Sequence, residues 1–499
     1  MGLIQFHKLL LLFLLLTTNC VFQTSSNWAN GPEPPSMPPL PKEEEAAVKA
    51  LLLSKAQQKL YNSLSAHLCH DKAIRSCNCS TTSCHVTEIY LSEGYLSRRI
   101  PQQVGNLTHL TRLVLSGNKL HGSIPTSLLN LQSLSHLDLS DNSLSGNLPA
   151  LQMKSLQYMD LRENKLDGPV PKSFLNLQSL YYLDLSENSL SEYLPAFRMK
   201  SLKYINLGSN CFTGQIPREY GALQSLRSLY IHRNSLNGSI PQELGELSNL
   251  VALGMIDNRL SGHIPRQLGK LTQLQFLSLS NNYFVGELPL SFKHLTNLTE
   301  FYAQGNSLSG KVTKVIAHWT KLEQLLLIGN NFEGPWSKEI SSMKSLIQLQ
   351  LSNVVTRGRA YDFPDLSPMT SLEALTLRNC SLRGHIPRYI WELQHLFYLD
   401  LSFNELSGEV PKSIRTSLTY IFLRQNKLNV SLPGWLVNRK NATSRQYVDV
   451  SENFFTNTTS VSNASSNPDV NTFPGCSKNQ CDRYCHHKCK SLNRRFTKL

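Results

Sequence analysis

Between His85 and Thr456 the apolar positions fall in one frame, L-x-x-L-x-L-x-x-N-x-L-x-G-x-I-P, repeated every 24 residues. Residues 109–132 (HLTRLVLSGNKLHGSIPTSLLNLQ), 225–248 (SLRSLYIHRNSLNGSIPQELGELS) and 249–272 (NLVALGMIDNRLSGHIPRQLGKLT) lie over one another in that frame. A period of this length, held through fourteen full coils and a partial one, predicts a solenoid in which each unit buries its apolar side against its neighbours alone. In L-x-x-L-x-L the leucines, such as Leu110, Leu113 and Leu115, point inward, and the residues between them alternate outward on a short strand. The predicted fold class is therefore an α/β solenoid, a horseshoe or superhelix. Its concave face is a parallel β-sheet and its convex face consists of short helical or irregular segments.

The polar positions of the frame have equally definite jobs. The asparagine after the strand (Asn118, Asn142, Asn164, Asn188, Asn210) is placed to bond the turning backbone, whose polar groups would otherwise be buried unpaired. Gly122, Gly168, Gly214, Gly238 and Gly262 recur where a sharp bend is needed. In pairs such as Ile216-Pro217 and Leu288-Pro289 the first residue is buried and the proline leaves the ladder. Residues 130–154 and 176–200 are near copies and read as a duplicated pair of coils. Coils 133–154 and 179–200 are two residues short on their convex side, which predicts irregularity there. The coil at 345–370 is two residues long, lacks Ile-Pro and has Val354 at the asparagine position.

The regions outside the repeat set the compartment. Residues 1–26 have the layout of a secretory signal peptide: His7 and Lys8, an apolar run from Leu9 to Leu16, then small and polar residues. Residues 27–41 form a proline-rich linker, and residues 42–84 a cysteine-containing N-terminal cap. Its helix is predicted over Lys42–His67, with Ala47, Ala50, Leu51, Ala56, Leu60 and Leu64 at helical spacing, and would cover the open end of the solenoid. Residues 85–456 carry the coils, 457–471 form a Ser/Thr/Asn-rich linker, and 472–499 a basic, cysteine-rich tail that is either disulfide-bonded or without a fold. Two cysteine clusters, Cys69, Cys77, Cys79 and Cys84 against Cys476, Cys481, Cys485 and Cys489, flank a middle holding Cys211 and Cys380. They predict disulfide-closed ends; each cluster allows three pairings, with Cys69–Cys77 and Cys79–Cys84 the sequential choice. Cys481, Cys485, His486, His487 and Cys489 are dense enough for zinc, but their spacing matches no common finger and export favours disulfides. Nine sequons, at Asn78, Asn106, Asn237, Asn297, Asn379, Asn429, Asn441, Asn457 and Asn463, make glycosylation candidates. No apolar stretch reaches the ~18 residues of a membrane helix, so the chain as written is expected to be secreted to the extracellular space.

The 24-residue L-x-G-x-I-P frame resembles the plant-specific class of extracellular leucine-rich repeats. The sequence is similar in particular to ectodomains of plant leucine-rich repeat receptor-like serine/threonine kinases of the malectin-containing subfamily. The residues carrying this resemblance are CNCSTTSCHVTEIYL (77–91), GNLTHLTRLVLSGNKLHGSIP, the stretch LTLRNCSLRGHIPRYIWELQHLFYLDLSFNELSGEVP (375–411) and YVDVSENFF (447–455). It implies an ectodomain that senses an extracellular protein, peptide or carbohydrate ligand and a co-receptor. It also implies a chain truncated before the malectin-like, membrane and kinase regions, and a plasma-membrane location for the full-length receptor. The chain has no Gly-rich nucleotide loop, His-Arg-Asp or Asp-Phe-Gly; His232-Arg233-Asn234 is a repeat position and Asp362-Phe363-Pro364 is not a metal-binding loop. No kinase activity is expected of it, and no cofactor or metal.

The third position of L-x-x-L, followed down successive coils, gives Arg112, His136, Tyr158, Tyr182 and Tyr204, with Tyr230, His232, Phe276 and Tyr302 beside them. Tyr and Arg concentrate binding energy at protein interfaces, so this half of the concave face is the candidate recognition surface. An aromatic ahead of Leu-Asp-Leu-Ser is ordinary in such repeats, as at Tyr398, and lateral stacking alone accounts for such a column. Asp138, Asp160, Asp184 and Asp400 belong to the repeat pattern and carry little weight as catalytic carboxylates. Asn379 stands at the edge of the same face, where a glycan would obstruct binding. Lys+Arg exceed Asp+Glu by 14, but seven basic residues and one acid fall within 472–499, so the charge gives no support to a nucleic-acid partner. Besides the receptor ectodomain, two readings stand: a secreted inhibitor or wall-associated binder, similar to plant repeat proteins that block pathogen pectin-degrading enzymes and favoured by a basic concave face, and a fragment of a membrane receptor kinase.

Overall fold

The computed structural model describes residues 38–52, 74–92, 96–334, 338–354, 358–414, 418–437 and 447–456. The signal-peptide segment, most of the linker before the cap, Cys69, the sequons at Asn441, Asn457 and Asn463, and the tail with Cys476, Cys481, Cys485 and Cys489 lie outside them.

The chain opens with helix α1 (Lys42–Leu52), which has Glu43, Glu44 and Glu45 in its first turn, where the helix dipole favours acids. Ala47, Val48 and Leu51 are buried, and the helix packs on the first convex turn, Gln102–Asn106. Of the predicted apolar stripe, Ala47 and Leu51 face the core and Ala50 is half-buried; Ala56, Leu60 and Leu64 lie outside the described residues. Strand β1 (Ile74–Cys79) turns back antiparallel on β2 (Cys84–Tyr90), and a Cys79–Cys84 disulfide closes the hairpin. Cys77 is disulfide-bonded too, as is Cys211, which the spacing assigned to no pair.

β2 then starts the solenoid. It pairs in parallel with Arg112–Val114, and each concave strand pairs with the next as far as Tyr447–Asp449, giving a 17-stranded sheet. Leu110, Leu113 and Leu115 have no exposed surface, and the same holds at equivalent positions such as Leu226, Leu229 and Ile231. The core is one continuous apolar column. At ~1.5–3 kcal/mol for each fully buried leucine it is the main term holding successive coils together.

The asparagines do what the frame requires. Asn188 Nδ2 donates to the carbonyls of Leu161 (2.9 Å), Leu185 (3.2 Å) and Ser186 (3.1 Å), while its Oδ1 accepts the Leu166 N–H at 3.0 Å. Gly122, Gly168, Gly214, Gly238 and Gly262 all have φ between 73° and 81°. Pro217 and Pro289 stand immediately before the 3₁₀ turns Arg218–Ala222 and Leu290–His294, while Ile216 and Leu288 are buried. The two short coils lack this turn: no helix lies between Thr126–Asn130 and Lys172–Asn176, nor between Lys172–Asn176 and Arg218–Ala222. A second sheet, on the side where the glycines bend, is interrupted after Ser189–Leu190 and again after Asn331–Phe332, so the breaks follow the second short coil and adjoin the irregular coil at 345–370.

Candidate ligand-recognition face

Because register in the concave sheet is one residue against one, equivalent positions of successive coils are neighbours. Arg112, His136, Tyr158, Tyr182 and Tyr204 pair in that order. Their rings close into a stack: His136–Tyr158 centroids 4.1 Å apart, Tyr158–Tyr182 4.3 Å and Tyr182–Tyr204 4.5 Å, with interplanar angles of 4–9°. These separations follow from the ~4.8 Å strand spacing, which brings side chains at one register position to stacking distance. Arg112 heads the column, its guanidinium 6.0 Å from the Tyr90 ring.

Beyond Tyr204 the surface shifts sideways. Ser228 and Ala252 occupy the column, and Tyr230 belongs to the adjacent row, in register with Asn206 and Gly254. A Cβ on Gly254 would lie 2.8 Å from the Tyr230 ring, so the missing side chain lets that ring fold across the strand. Phe276 rejoins the column 6.3 Å from Tyr230, and Tyr302 meets Phe276 edge-on at 5.7 Å. His232 lies over Gly208 and meets Tyr230 edge-on at 6.4 Å. All nine candidate residues thus join one surface over nine successive strands.

Their exposure divides them. Tyr182 is 6% exposed, clamped between two rings, so lateral stacking accounts for its place; Arg112, His136, Tyr158, Tyr204, Tyr230, His232, Phe276 and Tyr302 are half-buried and present edges to the groove.

Under the rings runs a row of acids. Asp138, Asp160 and Asp184 are neighbours in register, and the last two are buried. Arg162 Nη1 lies 3.1 Å from Asp160 Oδ2, the Tyr158 and Tyr204 hydroxyls lie 3.4 Å from Asp160 and Asp184, and Asn206 donates to Asp184 at 3.1 Å. Burial, then the neighbouring Asp184, pushes the Asp160 carboxyl up to about 8, against the pull of Arg162. Burial likewise raises Asp184, although the Ser186 hydroxyl and N–H bond it. Burial lowers both His136 and His232 to about 4, helped by Arg112 and Arg233 respectively, so both rings are neutral at pH 7. Asp138 and Asp400 each accept the hydroxyl and N–H of the serine two residues on, Ser140 and Ser402, which is a turn-closing role.

The sequence pattern did not single out a second aromatic run, in the C-terminal coils. Tyr398, Tyr420 and Tyr447 share one column, Tyr420 and Tyr447 stack at 5.0 Å, and Phe422 lies 5.6 Å from Tyr398. Its signal was a tyrosine before the buried apolar strand residue in three consecutive coils, ahead of Leu399, Ile421 and Val448. Cys380 stands at the asparagine position of its coil, with Sγ 3.4 Å from the Arg378 carbonyl and 3.8 Å from that of Leu351, a weaker version of the same bonding.

Among the sequons, Asn78, Asn106, Asn237, Asn379 and Asn429 are exposed. Asn297 is half-buried, its Nδ2 donating to Thr272 O at 2.9 Å. No helix among the described residues is long and apolar enough to cross a membrane.

Comparison with known proteins places this geometry. Two leucine-rich repeat family models match, one over residues 84–144 and the other over 155–177, 201–223, 225–247, 273–295 and 395–416. A probable LRR receptor-like serine/threonine-protein kinase of Arabidopsis thaliana is 34% identical over 151 residues, covering 28% of this chain and 14% of the relative, so the chain spans a small part of that protein's length. Among solved structures, the plant peptide hormone receptor RGFR1 in complex with RGF2 aligns at 31% identity and a TM-score of 0.65, over 76% of this chain and 68% of that one. The Arabidopsis receptor kinase HAESA, in complex with the peptide hormone IDA and the co-receptor SERK1, aligns at 32% identity and a TM-score of 0.66, over 74% and 66%.

Proposed function

Since the chain belongs to the leucine-rich repeat family and is homologous to plant LRR receptor-like kinases, we propose that it recognises an extracellular peptide along the N-terminal half of its concave face, with a co-receptor as second partner. The observation that carries this reading is the unbroken aromatic surface from His136 to Tyr302, whose ring edges line the groove. From Arg112 to Tyr302 it crosses nine strands, a span of about 38 Å at ~4.8 Å per strand, which matches an extended peptide of about 11 residues. Arg162, its side chain 40% exposed beside the buried Asp160, offers a guanidinium to a ligand carboxylate or carbonyl. RGFR1 and HAESA were solved with peptide hormones, and HAESA with a co-receptor, which supports the same two classes of partner here.

The remaining features fit a cell-surface setting. Residues 1–26 serve as an export signal, the exposed sequons carry glycans, and Cys69 and Cys77 join the cap disulfides. Relatedness to the malectin-containing subfamily, with a kinase on a longer form of the chain, belongs to the same proposal. The inhibitor reading draws less support, because RGFR1 and HAESA, whose solved structures align with the chain, are receptors of peptide hormones.

The test uses the full chain with Tyr158 and Tyr204 both replaced by alanine, leaving buried Tyr182 in place, and Tyr420→Ala as a control in the other aromatic run. Binding is measured against a panel of synthetic secreted plant peptides. The double variant is expected to bind the selected peptide at least tenfold more weakly with an unchanged circular dichroism spectrum, as interface tyrosines do. Unchanged affinity removes this face.

A further inference from the structure

At the N-terminal end, away from the groove, three side chains converge from pieces far apart in sequence: Glu44 on α1, His85 on β2, and His109 in the turn before the strand Arg112–Val114. Glu44 Oε1 lies 2.6 Å from His85 Nδ1 and 3.5 Å from His109 Nδ1, and the three atoms all fall within 4.8 Å of one another. We propose that Glu44, His85 and His109 form a binding site for a divalent transition ion, Zn²⁺, which ties the capping helix to the first coils.

The donor set suits that ion. Two imidazoles and one carboxylate are borderline-to-hard ligands of the kind that hold zinc with a water in the fourth position, whereas Ca²⁺ and Mg²⁺ call for oxygen shells. With metal–ligand bonds of ~2.0–2.1 Å in a tetrahedron, ligand atoms sit about 3.4 Å apart. The Glu44–His109 separation of 3.5 Å is already at that value, and the shorter Glu44–His85 separation is a hydrogen bond that an ion would replace.

The supporting shell is in place as well. Glu44 is 4% exposed, and its second oxygen accepts the Val86 N–H at 3.1 Å, which aims Oε1 at the histidines. His85 Nε2 lies 3.3 Å from Ser83 Oγ; with the proton on Nε2, Nδ1 is bare and ready to ligate. The two imidazole centroids are 3.9 Å apart and tilted by 31°, so the rings pack together with both Nδ1 atoms near the same carboxylate oxygen. The His109 side chain is 52% exposed, leaving an entry path and room for a coordinated water.

The chain, freed of metal with chelator and exchanged into chelator-free buffer, is titrated with ZnCl₂ by calorimetry and by thermal melting, with MgCl₂ and CaCl₂ in parallel. His109→Ala removes a half-exposed ligand that the core does not need. A second variant, His486→Ala with His487→Ala, removes the two tail histidines that could compete for the ion. The expected result is a rise in melting midpoint of about 3 °C at a hundredfold excess of Zn²⁺ over Kd. It should be absent with Mg²⁺ or Ca²⁺, lost in His109→Ala and kept in the tail variant. No rise in the wild-type chain, a rise that survives His109→Ala, or one lost only with the tail histidines overturns the proposal.

Discussion

Asp160 is a carboxyl buried among carboxyls, and the reading of the acidic row stands on its charge state. It is 1% exposed, its register neighbours are Asp138 and Asp184, and burial followed by Asp184 holds its pKa up at about 8, far above the ordinary carboxylate range near ~4. For an acid raised on folding, the native state holds more protons than the unfolded chain between those two values, so stability declines as pH rises from about 4 to about 8. At pH 7 the solution stands about 3 pH steps above the unfolded value, which at 1.36 kcal/mol per step gives an upper bound of about 4 kcal/mol; the pull of Arg162 is already contained in it, and entry of water to the ionised carboxylate brings the expected effect to about 2 kcal/mol. His136, lowered to about 4, works in the opposite sense, favouring the fold as pH rises from about 4 to 6.5, so the wild-type profile below pH 6.5 is a sum of two slopes. Asp160→Asn separates them. The amide keeps an oxygen for the Arg162 backbone N–H, now 3.1 Å from Oδ1, turns an NH₂ that can donate toward the Tyr158 hydroxyl oxygen in place of Oδ2, and carries no charge. Urea unfolding followed by circular dichroism at pH 4, 5.5 and 7 should show equal stabilities at pH 4 and a variant more stable by about 2 kcal/mol at pH 7. A variant less stable than wild type at pH 7, or a difference that does not change with pH, would mean that the Arg162 ion pair keeps Asp160 charged and would refute the argument.

Two further expectations concern the frame itself. Asn188→Ala takes one donor from each of three carbonyls, which keep Asn164 Nδ2, Asn210 Nδ2 and the Glu163 N–H, and strips the buried Leu166 N–H of its side-chain acceptor; it should cost about 2 kcal/mol, seen as a lowered denaturation midpoint, and a loss under about 1 kcal/mol would show that water replaces the bond to Leu166. Gly221→Ala places a methyl 2.5 Å from the Glu243 carbonyl oxygen of the next convex turn, so the two coils must part; about 2 kcal/mol is expected by the same measurement, and an unchanged midpoint would show that the convex face yields freely.

The parts of the fold legible beforehand are those in which a residue type is demanded by geometry. Leucines mark the core, asparagines the buried turn and glycines the left-handed bend, and each reappears in most coils. The illegible parts are those in which geometry is imposed on whatever residue happens to stand there. The position just before the asparagine takes positive φ in coil after coil, at Asp141 (50°), Glu163 (54°), Glu187 (53°), Ser209 (53°) and Arg233 (51°), and glycine advertises it only at Gly117, Gly305 and Gly329. The asparagine that follows holds the turn through bonds to both coils, and that over-determination outweighs the local preference. Cys380 is hidden for the opposite reason: a thiol gives no polar signal, although it fills the same position. Glu44, His85 and His109 share no spacing motif, because three separate elements bring them together.

The candidate face was legible as a column, but its division of labour was not. A period that places one tyrosine per coil also places the rings about 4.8 Å apart, so any such column stacks whether or not a ligand exists. Stacking therefore cannot distinguish scaffold from recognition; exposure and what lies beneath the rings can. Tyr182, closed on both faces and 6% exposed, is scaffold. Tyr158 and Tyr204 keep an open edge while their hydroxyls reach toward Asp160 and Asp184, so the same rings that meet the groove also roof the acids and hold their pKa values up. Opening that roof admits water to the carboxylates and lets them ionise, which weakens the penalty derived for Asp160. The Tyr158 and Tyr204 double variant should therefore flatten the pH dependence of stability as well as weaken binding. A variant that loses affinity while keeping the wild-type pH profile would place the tyrosines in the groove but detach them from the acidic row.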